Sequence, residues 1–313
     1  SSFAAELQTD FRVRLENPHV IGVDQFFAGV IKTGPAGTAL NSSFKTRNEA
    51  GYKQDLGNAV VNFSRLFTGG LLVFFPSYAV MESCVEHWSN ECDGQGKTVL
   101  DRIRHTKHVV FEPRQSSQLQ QTMDEYYEHV RRGSRTGRGG AAFFAVCRGK
   151  VSEGLDFADA NGRAVIVTGI PYAAAMDPKV TLKRQYQDRS SGSLSGEDWY
   201  KQQALRAVNQ AIGRVIRHKD DYGAVLLCDG RFSEGQVIPL LSKWLRPQIR
   251  IYDRYGEAIS HLVQFFKRNA GRAASSIVPT PTCDDGGDMA AAATTLGLRD
   301  LPRDLRVVAC TGA

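Results

Sequence analysis

The chain has 313 residues, of which 42% are hydrophobic, so it is long enough for two average domains or for one large domain with extensions. Its formal net charge of +6 fits a polyanionic partner without proving one. No apolar run approaches the length of about 18 residues that a membrane span needs, and the six cysteines form no Cys-x-x-Cys pair. These features argue against a membrane protein, a disulfide scaffold and a zinc site. The chain starts at Ser1 without an initiator methionine, which predicts that it is part of a longer protein.

Short apolar runs alternate with helical patterns along the chain, which predicts an α/β fold. The strands are predicted at Phe11–Leu15, Val20–Val30, Leu71–Phe75, His108–Glu112, Ala141–Val146, Arg163–Thr168, Tyr222–Cys228 and Ile249–Tyr252. Helices are predicted at Phe44–Phe67, Tyr78–Trp88, Ser117–Arg132, Asp177–Gln187, Glu197–Arg217 and Ala258–Phe266, with another that ends at Trp244. The segment Arg131–Gly140 reads as a basic loop. Residues 1–268 are predicted to form the folded domain, and residues 269–313 a disordered tail rich in Ala, Gly, Thr, Pro and Asp.

The stretch Gln210–Arg217 ends the predicted helix that begins near Glu197. At about 100° per residue, its polar side chains form one stripe and its apolar side chains the opposite, buried face. The polar stripe is Gln203, Arg206, Gln210, Arg214 and Arg217, and the apolar face is Leu205, Val208, Ile212, Val215 and Ile216. Gly213 leaves the backbone open to close approach. Guanidinium groups bind phosphate oxygens and an amide can orient a water, so the stripe predicts a triphosphate site. Ordinary surface arginines are the alternative.

The loop after the strand Ala141–Val146 carries two glycines, a serine, carboxylates and cations in the run Cys147–Phe157. Ligand sites of α/β sheets lie beyond the carboxyl ends of strands, so this loop predicts a second part of the site, with a tight, solvent-exposed turn as the alternative. The run Gly94–Thr98 resembles the end of a P-loop, but Glu91 stands where a glycine is required and no buried strand precedes it. Asp124-Glu125 lies within a predicted helix and is interpreted as helix surface.

Three stretches resemble motifs four, five and six of superfamily 2 helicases in order and spacing: Gly70–Tyr78, Gly149–Phe157 and Gln210–Arg217. The Ser-Glu-Gly-Leu-Asp-Phe run of motif five, followed by Val165–Tyr172, is similar to the XPD-like iron–sulfur DNA helicases. Within that family, Leu15–Ile21, Ala207–Gln210 and Arg217–Val225 look most like the branch that regulates telomere elongation. The resemblance covers about residues 1–267, and it covers only the second of the family's two motor domains.

The resemblance implies a RecA-like parallel sheet flanked by helices, with ATP bound between the two motor domains. It implies that Arg214 and Arg217 act as arginine fingers and that Gln210 orients the attacking water or senses the γ-phosphate. The residues implied to couple the nucleotide to the strand-binding surface are Glu153, Gly154, Asp156 and Gly213, with Glu153 as a ribose or arginine partner. The implied contacts to a single strand are Ser77, Tyr78, Lys150, Ser152 and Tyr172. Loop packing is the alternative for the two tyrosines.

The same resemblance implies that ATP and Mg²⁺ are bound mainly by the first motor domain, which lies upstream with the P-loop and the four cysteine ligands of a [4Fe–4S] cluster. This chain is expected to hold no metal and to be inactive alone. The implied partners are single-stranded and duplex DNA and the first motor domain in cis, without a membrane. The implied role is 5′→3′ DNA unwinding in the nucleus, in telomere maintenance and DNA repair. A non-enzymatic single-strand-binding module and half of an RNA helicase are the alternatives.

Overall fold

A parallel sheet of seven strands forms the centre of the part of the chain that the structure describes. The structure is a computed structural model, and it describes residue 13 and residues 21–154, 157–189 and 194–275. The strands are β1 (Phe26–Ile31), β2 (Leu71–Phe75), β3 (His108–Phe111), β4 (Ala141–Val146), β5 (Ala164–Val167), β6 (Gly223–Leu227) and β7 (Ile249–Tyr252). Their order is β3-β4-β2-β5-β6-β1-β7, and every neighbouring pair is parallel. The loops that follow the strands therefore meet at one edge of the sheet.

Helices cover both faces of this sheet. They are α1 (Ala50–Ser64), α2 (Tyr78–Asn90), α3 (Val99–Arg104), α4 (Leu119–Thr136), α5 (Lys150–Gly154), α6 (Pro178–Arg189), α7 (Gly196–Ile212) and α8 (Tyr255–Ser275). Helices α1, α2, α3 and α8 pack on one face, and α4, α5 and α7 pack on the other. Helix α6 packs mainly against α7.

Strand β2 shows why the apolar runs become central strands. Its side chains are all buried, although they point alternately to opposite faces. Leu71, Val73 and Phe75 pack with the α1 layer, whereas Leu72 and Phe74 pack with the α7 layer. A strand that is apolar on both faces is stable only between two helical layers, which confirms the α/β prediction.

The predicted strands within the described residues are confirmed with small changes at their ends, except that β1 begins at Phe26, six residues after the predicted start at Val20. The predicted strand Phe11–Leu15 lies outside the described residues except for Val13. Helix α3 was missed because its signal is short: Thr98 and Asp101 form a capping box around the first apolar residues of a six-residue helix. Helix α1 begins at Ala50, later than the predicted start at Phe44.

The segment Arg131–Gly140 is not a basic loop for most of its length. Helix α4 continues to Thr136 and ends at Gly137, whose left-handed φ of 66° is a common helix stop. Gly133 belongs to the helix, and a Cβ there would lie 2.5 Å from the amide nitrogen of Gly140. Glycine at 133 therefore permits close packing of the returning chain, and it is not a loop signal.

Two further boundaries differ from the prediction. The predicted helix ending at Trp244 is replaced by short 3₁₀ turns, because Pro239 lacks the N–H that a continuing helix would need. Helix α8 continues to Ser275, past the predicted domain end at 268. Asn269 holds the helix to the domain, since its buried amide donates to the carbonyls of Asp24 and Phe265, each at 3.0 Å. Residues beyond 275 lie outside the described part.

Lys107 is a buried cation at the amino edge of the sheet. Its ammonium donates to the carbonyl oxygens of Phe67, Gly69 and Gly139 at 2.8, 3.0 and 3.0 Å, and so ties together the loops before β2 and β4. Burial lowers the pKa of Lys107 to about 7, whereas the three carbonyl acceptors favour the charged form.

This lysine predicts a pH dependence of stability. The unfolded chain keeps a lysine pKa near 10.4, so between pH 7 and 10 the unfolded state binds more protons and stability rises with pH by up to about 1.4 kcal/mol per unit. Below pH 7 the contribution is constant. Urea unfolding of the wild type and of Lys107→Met should therefore show a stability difference that shifts in favour of the wild type between pH 7 and 9. A difference that stays flat over that range would contradict the prediction.

Candidate functional site

The loop after β2 begins with Pro76 and Ser77. The Ser77 hydroxyl accepts a hydrogen bond from the amide of Val80 at 3.3 Å, which confirms Ser77 as the N-cap of α2. Tyr78 is the first residue of α2, and the guanidinium of Arg114 lies over its ring at 4.8 Å. Both predicted residues therefore stand at the carboxyl edge of the sheet.

The loop after β4 turns directly into α5. Lys150 begins that helix, and its ammonium donates to the carbonyl of Arg114 at 2.5 Å. The Ser152 hydroxyl is fully buried and donates to the carbonyl of Gly149 at 2.7 Å. A hydroxyl in that position does not face solvent, so Ser152 is left out of the strand-binding surface proposed below. Asp156 and the side chain of Glu153 lie outside the described residues, and Gly154 is the last residue of α5.

Helix α7 ends at Ile212, five residues before the predicted end at Arg217. Gly213 is the C-cap, with φ −63° and ψ 0°, and the next residues form tight turns. The prediction that Gln210, Arg214 and Arg217 share one helix face is therefore wrong, because Arg214 and Arg217 lie beyond the end of the helix. The predicted apolar face is confirmed, because Leu205, Val208, Ile212, Val215 and Ile216 are all buried. Val215 and Ile216 lie after the cap and are buried against the sheet although they are not helical. Helical periodicity alone could not distinguish this from a continuing helix.

Arg214 joins the two predicted motifs in space. Its Nε and Nη2 atoms donate to the carbonyl oxygen of Ser152 at 3.1 and 2.5 Å. The contact spans 62 positions of sequence and brings the 149–154 segment against the 210–217 segment. Gln210 and Arg217 are exposed near it. Arg214 is half-buried and Arg217 is exposed, and guanidinium groups are suited to binding phosphate oxygens.

A buried ion pair holds the turn after Arg217. Nη1 of Arg163 donates to Asp221 at 2.7 Å and to the carbonyl of Tyr222 at 2.8 Å, while its guanidinium lies 4.0 Å from the centre of the Tyr222 ring. Asp221 also accepts the amides of Arg217 and Tyr222 at 3.2 and 2.9 Å. The backbone position of Arg217 thus depends on a carboxylate four residues later.

Asp221 also belongs to the one group of possible metal-ligating side chains found among the described residues, together with Asp159 and His218. Arg163 lies 2.7 Å from Asp221 and 4.0 Å from Asp159, so a protein cation already lies beside both carboxylates. A metal ion there would meet this guanidinium, and the group does not fit a metal site.

A cleft of about 820 Å³ opens at the carboxyl edge of the sheet. Ser77 and Tyr172 line it, and Tyr172 stacks on Tyr200 with ring centres 5.2 Å apart. The charged side chains that line the same cleft are Arg47, Arg231 and Glu197. The structure therefore brings Ser77 and Tyr172 together, whereas Tyr78 and Lys150 meet at Arg114 beside them.

Arg231 was missed by the sequence analysis, although it follows the carboxyl end of β6, where ligand sites of parallel sheets occur. The buried carboxylate of Asp229 fixes it through bonds of 2.9 Å to Nε and 2.6 Å to Nη2. Asp229 also accepts the amide of Ser42 at 2.9 Å, and so holds a second wall of the cleft. The guanidinium is therefore set in place before any ligand arrives.

The run Gly94–Thr98 forms a tight turn and not a phosphate loop. Asp93 accepts the amides of Gln95 and Lys97 at 2.9 and 3.1 Å, and a bridge joins Cys92 to Thr98. The amides that a phosphate would need are thus already used. Within the described residues, no helix is both long and apolar enough to span a membrane.

Comparisons with known proteins agree with this arrangement. Residues 60–248 match the family described as Helicase C-terminal domain. A regulator of telomere elongation helicase 1 homolog of Arabidopsis thaliana is 51% identical over 276 residues, which cover 85% of this chain and 26% of the relative. The human regulator of telomere elongation helicase 1 is 46% identical over 288 residues, which cover 90% of this chain and 22% of the relative. The chain thus spans about a quarter of the length of these curated relatives.

A solved XPD helicase superposes with a TM-score of 0.50 at 22% identity, over 80% of this chain and 37% of that chain. This likeness shows a shared fold, and it confirms the RecA-like parallel sheet expected from the sequence. Taken with the family match over residues 60–248, it places the chain in the helicase C-terminal domain family.

Proposed function

We propose that this chain is the second motor domain of an ATP-dependent DNA helicase that moves 5′→3′ along a single strand. The observation that carries the proposal is the contact between Arg214 and the Ser152 carbonyl, because it joins the predicted phosphate-facing segment to the segment after β4. The match to the helicase C-terminal domain supports the general activity. Polarity, a nuclear location and roles in telomere maintenance and DNA repair follow from the resemblance.

In this proposal ATP and Mg²⁺ bind mainly to the first motor domain, which would also carry the [4Fe–4S] cluster. Arg214 and Arg217 reach the transferring phosphoryl group from this side and stabilise its charge, and Gln210 orients the attacking water. Nε and Nη2 of Arg214 each donate one hydrogen bond to the Ser152 carbonyl, which holds the guanidinium beside the 149–154 segment, and guanidinium groups are well suited to binding phosphate oxygens. Glu153, Gly154, Asp156 and Gly213 are proposed to couple the nucleotide to the strand-binding surface.

The strand-binding surface is proposed to lie along the carboxyl edge of the sheet. Ser77, Lys150 and the cleft arginines would contact phosphates, and Tyr78 and Tyr172 would stack on bases. The stacked pair of Tyr172 and Tyr200 gives a rigid aromatic wall, which supports this assignment.

ATP hydrolysis tests the proposal directly. The isolated chain should show no DNA-stimulated hydrolysis, and a protein that also carries the first motor domain should show it. Absence of stimulated hydrolysis in the two-domain protein would reject the motor. Comparing single-stranded DNA with RNA of the same sequence separates the DNA helicase from an RNA helicase.

A non-enzymatic single-strand-binding module is the second candidate, favoured by the two arginines, Arg47 and Arg231, that line the cleft. Titration of the isolated chain with a labelled oligonucleotide at several salt concentrations tests it. Tight binding without the first domain, combined with no hydrolysis in the two-domain protein, would favour the module over the motor.

A prediction about the cleft concerns Arg47. In the two-domain protein, Arg47→Ala should weaken single-strand binding a few-fold and reduce the salt slope by about 0.7, as expected for one lost phosphate contact. Arg47 is a better choice than Arg231 for this test. Removing Arg231 would leave the buried carboxylate of Asp229 without its cation, and the loss of stability would then be confused with a loss of binding. Arg250→Ala, an exposed arginine on β7 at the sheet's end, is the matched control and should leave the slope unchanged. If both variants show the same salt slope, Arg47 does not belong to the strand-binding surface.

A further inference from the structure

Glu112 is a buried carboxylate directly after β3 that the proposed mechanism does not yet use. Its Oε2 accepts the amide of Val146 at 2.8 Å, and its Oε1 accepts the amide of Val151 at 3.2 Å. Val146 is the last residue of β4, and Val151 is the second residue of α5. One side chain thus fixes both sides of the turn from which the Ser152 carbonyl is presented to Arg214.

The turn at Arg148 and Gly149 has a backbone conformation that is unfavourable in isolation. Arg148 has a φ of 65°, which is unfavourable for a residue with a side chain. At Gly149 a Cβ would lie 2.4 Å from Oε1 of Glu112, so the carboxylate rests against the backbone there. A negative charge beside the first amides of α5 is also electrostatically favourable. Glu112 therefore supplies the acceptors that stabilise a strained turn.

The other side of Glu112 faces the proposed strand-binding surface. The Tyr78 hydroxyl interacts with this carboxylate, and burial, followed by the negative charge of Glu112, raises the pKa of Tyr78. Two residues after Glu112, the guanidinium of Arg114 lies over the Tyr78 ring, and the carbonyl oxygen of Arg114 accepts a hydrogen bond from the Lys150 ammonium. The segment 112–114 is therefore in contact with both Tyr78 and α5.

We infer that Glu112 is a positioning residue that couples strand binding at Tyr78 to the nucleotide side through the Val151 amide, α5 and the Ser152–Arg214 contact. This inference rests on the proposed motor function. A strand that moves Tyr78 changes the environment of Glu112, and Glu112 sets the position of the helix whose carbonyl holds Arg214. The carboxylate is buried, and in this inference it acts only through the groups that it contacts.

The test measures hydrolysis by the two-domain protein with and without a saturating oligo-dT strand. The stimulation factor is the ratio of the two kcat values. Glu112→Gln keeps the size of the side chain but has one acceptor oxygen for two amides, so this factor should fall by about 5-fold or more, whereas the Kd for oligo-dT should change by less than about 3-fold. Glu112→Ala should lower the factor further. Glu82→Gln is the matched control: the bonds of this exposed carboxylate that the structure describes go to Arg114 and not to α5, so the variant should keep the stimulation factor.

A purely structural role would lower Tm and the active fraction, which reduces both kcat values together and leaves their ratio unchanged. An unchanged ratio in Glu112→Gln therefore overturns the inference, whatever happens to Tm. If Glu112→Ala does not fold, the glutamine variant still decides the matter. Failure of the proposed function would look different, since the wild-type two-domain protein would then show no stimulated hydrolysis at all.

Discussion

Replacing Arg214 by alanine in a protein with both motor domains is expected to lower the kcat of DNA-stimulated ATP hydrolysis by about 10³-fold or more, the usual range for an arginine finger. The variant loses the guanidinium that we propose meets the phosphoryl group, and it also frees the Ser152 carbonyl from its two donors. The KM for ATP should change less than kcat, because the charge being stabilised develops mainly in the transition state.

Two further variants make this result specific. Arg214→Lys keeps the charge but cannot bond the Ser152 carbonyl with two donors while reaching a phosphate. Its kcat should therefore lie between that of Arg214→Ala and that of the wild type. Arg268→Ala removes an exposed arginine from α8, on the opposite face of the sheet, and should retain full hydrolysis. Wild-type turnover in Arg214→Ala would show that this side chain has a structural role and no part in phosphoryl transfer.

The sequence predicted those features that depend on local patterns. Continuous apolar runs such as Leu71–Phe75 gave the central strands, and the spacing of Leu205, Val208 and Ile212 gave the buried face of α7. Both signals arise because burial on two faces, or on one helical face, dictates residue type at each position. The Ser77 cap was predicted for a similar reason, since the position before a helix selects a short hydroxyl side chain.

The features that escaped prediction depend on contacts between distant segments. The contact of Arg214 with Ser152 needs α7 to stop at Ile212, and helical periodicity continued past that point because Val215 and Ile216 are also apolar. Glu112 looked like an ordinary residue at a strand end, since its partners Val146 and Val151 contribute only backbone amides, which leave no trace in the sequence. Backbone donors are present at nearly every position, so only the fold selects which two a carboxylate will meet.

The buried pair of Asp221 and Arg163 leads to the second large prediction. Asp221 is fully buried, and Arg163 is 4% exposed. Asp221→Ala leaves a buried guanidinium without this carboxylate and deprives the amides of Arg217 and Tyr222 of their acceptor. Breaking a buried pair by removing one partner typically costs about 3–5 kcal/mol, so urea unfolding of the isolated chain should show a loss of this size with an unchanged m-value.

The neighbouring residue gives a close control. Asp220 is exposed, and Asp220→Ala removes the same charge one position earlier, so its stability should stay within about 0.5 kcal/mol of the wild type. Asp221→Asn keeps an acceptor oxygen and should lie between the two alanine variants. A loss below about 1 kcal/mol for Asp221→Ala would mean that water or a rearranged turn compensates Arg163. If the loss is as large as expected, the position of the turn that carries Arg217 depends on the buried carboxylate of Asp221. Substitutions of Asp221 should then impair hydrolysis in two ways, by lowering the stability of the domain and by displacing Arg217.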